Sequence, residues 1–136
     1  MTASNATEDA LREALLDEYK ARATYRKVIE TFGEIRPFIN IVEAEDRHAA
    51  ALLRQFKRLN LDPPEDQWKG NVAAPASIME ACKAAVADEI NNAEMYNRLL
   101  ATVDDPTVKK VLLNLQAASQ DRHLPAFRRC LAREAS

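Results

Sequence analysis

The feature that most constrains the fold is how rarely the chain is interrupted. Two glycines and six prolines in 136 residues fall at a few points. Between them, apolar residues recur every three or four positions, the period of a helix with one buried face. The first such stretch opens at Thr7, with Glu8 and Asp9 placing acidic groups in its first turn. It carries Leu11, Leu15, Tyr25, Ile29 and Phe32 and stops at Gly33. A second runs from about Pro37 to Asn60 through Phe38, Ile41, Leu52, Phe56 and Leu59. Then "LDPPEDQWKGNVAAPA", residues 61–76, is rich in proline and long for a helix connection. Ser77 with Glu80 forms a capping-box signal for a third helix carrying Ile78, Cys82, Val86, Tyr96 and Leu100. Asp105 and Pro106 open a fourth, which runs towards Leu131. Pro125 removes a backbone donor inside it, so a kink is expected there.

Short loop, long loop, short loop predicts an all-α four-helix bundle in a single domain, residues 1–136. Helix hairpin 8–60 is joined to helix hairpin 77–132 by the crossover loop 61–76. Fully extended, that loop spans up to about 50 Å, enough to run from one end of a bundle to the other. Net charge is −2 with both signs interspersed, which gives no electrostatic basis for nucleic acid or an anionic membrane as partner. No apolar run reaches membrane-spanning length, and "MTASNATEDALREALLDEY" has no secretory pattern. A cytoplasmic protein is expected. Cys82 and Cys130 lack Cys-x-x-Cys spacing and read as two half-buried thiols rather than a disulfide.

Each apolar stripe contains a polar residue near its middle. Helix one has Glu18, helix two Glu45 and His48, helix three Glu89, and helix four Gln120 and His123, the last on the stripe Leu113, Ala117, Gln120, His123, Phe127 and Leu131. Burying a charge without a partner is costly, so four such interruptions at similar depth indicate a shared centre. The halves also repeat. "EYKARATY" and "EINNAEMY" each place a tyrosine two turns after a glutamate, and "EDRHAAAL" is matched by "QDRHLPAF". The chain's two histidines, His48 and His123, both occupy the repeated position.

In Glu-x-x-His the carboxylate and imidazole stand one turn apart and project together. Two such units and a glutamate from each remaining helix suit a dinuclear centre inside a bundle. Ligation rich in oxygen, with one imidazole per ion, favours iron or manganese, and zinc less, since zinc usually takes fewer ligands.

With Glu18, Glu45-x-x-His48, Glu89 and Gln120-x-x-His123 in place, the chain resembles the ferritin-like superfamily of di-iron and di-manganese carboxylate bundles, including ferritins, bacterioferritins and rubrerythrins. "DEYKARATYRKVIETFG", "AEDRHAAAL" and "AASQDRHLPAF" look like a bacterial ferritin-like domain family of undefined function. The resemblance implies Glu18, Glu45, His48, Glu89, Gln120 and His123 as metal ligands, iron first and manganese second. It implies oxidoreductase chemistry of ferroxidase or peroxidase type with dioxygen or peroxide. A homodimer is the expected assembly. The departure is Gln120, where the family pattern has a glutamate: the set then supplies three carboxylates, and a glutamine carbonyl adds no charge. That favours a rival reading, a non-enzymatic assembly or partner-binding module with a degenerate or mononuclear site. Tyr25 and Tyr96 are expected to pack with satisfied hydroxyls, and Trp68 to anchor the long loop. Asp46, Arg47, Asp121 and Arg122 are expected to form ion pairs.

Overall fold

The computed structural model describes residues 2–135 and consists of helices alone among them. Helix α1 spans Asn5–Phe32, α2 Phe38–Arg58 and α3 Ile78–Leu100. The fourth helical arm is made of α4, Pro106–Ala118, a π-helical turn, Ser119–His123, and α5, Leu124–Ala135. Capping explains most boundaries. Ser4 accepts from the Thr7 backbone N–H, so α1 begins slightly before the expected start at Thr7. Ser77 and Asp105 cap α3 and α4 as expected, accepting from the Glu80 and Val108 N–H groups, with Pro106 in the first turn of α4. Gly33 ends α1 with φ near +97°, a conformation that other residues rarely adopt.

Contacts between helix ends fix the topology. Ser4 and Thr7 at the start of α1 bond Asp104, just after α3. Arg58 at the end of α2 pairs with Asp105, at the start of α4. The end of α2 therefore lies at the opposite end of the bundle from the start of α3, and the intervening loop crosses its length. It is tied to α1 on the way by the Arg22–Asp66 ion pair and by Lys20 over the Trp68 ring. Trp68 packs partly buried against the core, which is the anchoring role expected of it.

The core is divided in two. Leu11, Leu15, Leu52, Phe56, Tyr96 and Leu112 belong to one apolar cluster. Tyr25, Phe38, Ile41, Cys82 and Phe127 belong to the other. In every helix, the charged residue of the stripe falls between the two sets.

Two expectations are corrected. Cys82 and Cys130 are fully buried and joined in a disulfide between α3 and α5, with Cα atoms 5.8 Å apart. Their separation of 48 residues in sequence hid the pairing. Each lies two turns from a buried polar residue of its own arm, Cys82 before Glu89 and Cys130 after His123, so facing stripes bring them together.

The second correction concerns the fourth arm. Instead of a kink at Pro125, the helix widens into the π turn directly before it. A proline ring in a regular α-helix clashes with the carbonyl four residues earlier, here Asp121, and i→i+5 bonding relieves that crowding. The buried series is Val108, Leu112, Leu115, Ser119, His123 and Phe127, whereas Leu113 of the expected stripe is 53% exposed.

Candidate metal centre

Five buried residues from all four arms meet in the polar layer. Glu18, Glu45 and Glu89 are 2–3% exposed, and His48 and His123 are 8% and 4% exposed. Two triads with ligand atoms within 4.8 Å of one another can be drawn: Glu18, Glu45 and His48, and Glu45, Glu89 and His123. Glu45 belongs to both.

The imidazoles stack with centroids 5.4 Å apart. His48 Nδ1 lies 3.2 Å from Glu18 Oε2 and 3.8 Å from Glu45 Oε1. His123 Nδ1 lies 3.3 Å from Glu45 Oε1 and 3.4 Å from Glu89 Oε1, yet makes a hydrogen bond to neither. Glu45 Oε2 is also buried without a hydrogen-bond partner. Leaving such atoms unsatisfied costs about 1–3 kcal/mol each, more when charged. A cation between them would satisfy both, and the donor set of carboxylate oxygens and one imidazole per triad fits a hard or borderline divalent ion.

The surrounding polar groups orient the outer carboxylates. Tyr25 donates to Glu89 Oε2 at 2.6 Å, while Tyr96 donates to Glu18 Oε1 at 3.3 Å. Each hairpin thus supplies the tyrosine that holds the other hairpin's glutamate. Asn92 donates to Glu18 Oε1 at 3.0 Å and to Asp17 Oδ2 at 2.6 Å. Ser119 Oγ donates to Glu89 Oε1 at 2.7 Å. The tyrosines pack as expected, and their hydroxyls are satisfied by the site's own carboxylates.

Burial drives the electrostatics. Desolvation, reinforced by Glu18 and Glu89, holds the Glu45 carboxyl well above the usual range. Desolvation also acts on Glu18, but hydrogen bonds from its neighbours, His48 foremost, outweigh it and keep that carboxyl low. Asp17, beside a small cavity between α1 and α3, is pushed up to about 6, chiefly by burial. Burial and the adjoining carboxylates raise both tyrosine hydroxyls far above their ordinary value, so both stay protonated donors.

Gln120 is the expected site residue that the fold does not bring in. It is exposed, and Ser119 is buried beside Glu89 in its stead. Through a π turn His123 shares its face with the residue four positions back, not three. The QDRH tetrapeptide therefore does not repeat the geometry of EDRH. Asn92 and Ser119 were not anticipated from sequence. Asn92 could have been found as a polar residue one turn after Glu89. For Ser119, three successive steps of four from Leu115 to Phe127 drift by about 40° each on a regular α-helix, a sign of a wider turn. Of the four expected ion-pairing residues, Asp46 alone is paired among the described residues, with Arg22 and Arg26.

The same helices in the same arrangement occur in known structures. The hypothetical protein MJ0754 from Methanococcus jannaschii superposes with a TM-score of 0.89 at 22% identity, covering 100% of this chain and 85% of that one. Mycobacterium tuberculosis bacterioferritin, BfrA, superposes with a TM-score of 0.83 at 19% identity, covering 99% and 89%. This chain has the ferritin-like fold. No protein-family model matches its sequence, and no curated protein matches it. Within that fold, the buried glutamates and histidines form groups able to hold a metal ion. Among the described residues, no helix is long and apolar enough to cross a membrane.

Proposed function

We propose that this ferritin-like protein binds two divalent ions, both iron by preference or both manganese as the alternative, and uses them in oxidoreductase chemistry with dioxygen or peroxide. The observation that carries this reading is the pair of buried triads sharing Glu45, with Glu45 Oε2 and His123 Nδ1 unpartnered. Glu18 and His48 would hold one ion, Glu89 and His123 the other, and Glu45 would bridge. When bound, the ions supply the electrons exchanged with the oxidant. The chain's own part is to position and to exclude water. Tyr96 and Asn92 orient Glu18, Tyr25 and Ser119 orient Glu89, and the two apolar clusters close the layer above and below. Burial holds the Glu45 carboxyl above the usual range, and a cation there would favour its ionised form, so binding would tighten as pH rises.

A specific observation favours a second reading, one ion at Glu18, Glu45 and His48. Two divalent ions carry four charges against three carboxylates, and Ser119 brings no charge where a fourth carboxylate would balance them. Metal analysis after anaerobic loading with Fe(II) or Mn(II) separates the two. Two ions per chain, with a higher melting temperature, is the expected result. One ion supports the mononuclear reading, and none, with unchanged stability, overturns both.

A further inference from the structure

Most arginines elsewhere on this protein are engaged, the exposed Arg54 and Arg128 excepted. Arg12 pairs with Glu8, Arg22 and Arg26 with Asp46, Arg58 with Asp105, and Arg98 with Glu13. The face formed by α2 and the fourth arm differs. Two adjoining cavities of about 400 and 330 Å³ open there, sharing Asn40, Ile41, Arg122 and His123 as common walls. Arg47 stands with Arg122 in the first, while Arg36, Arg129 and Arg133 stand with Arg122 in the second, Arg133 donating to the Arg36 carbonyl. Among the described residues, no carboxylate lines either one. Among the described residues, Arg36, Arg47, Arg122 and Arg129 have no acidic partner.

Like charges gathered around a concavity repel one another unless an anion joins them. Guanidinium groups bind phosphoryl and carboxylate oxygens through paired N–H donors, which makes them suited to such an anion. The concave shape and the volumes match a small molecule, whereas a protein partner would need a far broader contact. The arginines fall into two groups, one in each cavity, with Arg122 between them. We propose that this groove is a binding site for a small molecule bearing two anionic groups, phosphoryl or carboxylate, centred on Arg122. Asn40 adds neutral donors from α2. Because His123 forms part of the shared wall, the occupant lies against the imidazole that the proposed centre uses. The site itself needs no metal, so its test is independent of the centre.

Calorimetric titration of the metal-free full chain with pyrophosphate, at ionic strength held constant with chloride, tests the assignment. Saturable one-to-one binding is expected, at least tenfold tighter than for orthophosphate. Arg122→Gln should weaken it at least tenfold, and Arg129→Gln should weaken it as well. Arg128→Gln removes the same charge from an exposed position of α5 outside both cavities and should leave binding unchanged. All these side chains are exposed, so the variants are expected to fold, and circular dichroism verifies that they do. Absence of saturable binding, or an equal loss in the Arg122 and Arg128 variants, overturns the proposal. If a dicarboxylate such as succinate saturates the groove and pyrophosphate does not, the occupant's anionic groups are carboxylates and the site stands.

Discussion

The two halves of the buried layer carry matching glutamates and histidines and are finished differently. Around Glu18, the supporting donors are an amide and a phenol from α3, both on regular helix. Around Glu89, they are a phenol from α1 at 2.6 Å and a serine hydroxyl at 2.7 Å, the serine placed by a π turn. The Glu18 half is thus held by ordinary helix geometry. The Glu89 half depends on a local departure from it, and the disulfide lies two turns away along α3. Like ligands in the two hairpins thus stand on unlike supports.

The largest effect should come from the residue that joins the halves. Glu45→Gln keeps the shape but removes the shared charge, and should reduce bound divalent ion from two per chain to less than one by equilibrium dialysis. The metal-free variant should be no less stable than the natural chain, because burying this carboxylate as an anion is unfavourable. Retention of two ions would show that Glu45 does not bridge.

Next in size is the clamp on the Glu89 half. The Cys82→Ala/Cys130→Ala variant removes a cross-link between residues 48 apart, worth roughly 4 kcal/mol on chain-entropy grounds. Melting should fall by on the order of 10–15 °C. Ion binding at the Glu89 half should weaken more than at the Glu18 half, which paired His48→Ala and His123→Ala backgrounds resolve by calorimetry.

A finer comparison uses the tyrosines. Tyr25→Phe leaves Glu89 without its short bond and should cost about 1–3 kcal/mol, and Tyr96→Phe, which breaks a longer one, about 0.5–1 kcal/mol. Chemical denaturation of both variants measures the difference, and equal losses would show the halves to be equally supported.

The pH response is smaller, and its contributions fall in different ranges. Asp17 and Glu45 have raised values in the folded chain, so the fold keeps protons that the unfolded chain releases. Metal-free stability should therefore decline as pH rises from about 4 through about 6 on account of Asp17, and from about 4.5 upward on account of Glu45. Glu18 is lowered, so its contribution is present above about pH 4.5 and is lost on acidification below it. Denaturation midpoints at pH 5 and pH 7, with and without Mn(II), should show the decline cancelled by the ion.

The smallest effect is expected at Gln120. Gln120→Glu should change neither ion stoichiometry nor stability, since the residue is exposed. A gain of bound metal would place its side chain in the centre after all.

Much of this was legible in the sequence because helical period carries burial directly. Glu18, Glu45, His48 and Glu89 all lie on regular α-helix, and counting by three and four places them together. That counting fails where the backbone changes pitch, so Gln120 was read as inward and Ser119 was overlooked, although Pro125 marks the disturbance. The disulfide was illegible for another reason. Nothing local links Cys82 to Cys130, and only the docking of α5 on α3 brings them into contact.

The crossed hydroxyls of Tyr25 and Tyr96 bear on how the chain assembles. Neither hairpin, standing alone, can complete the bonding of its own glutamate. Each carries one acceptor in need of a donor and one donor aimed at the other hairpin. Docking of the hairpins and completion of the polar layer are therefore one cooperative event.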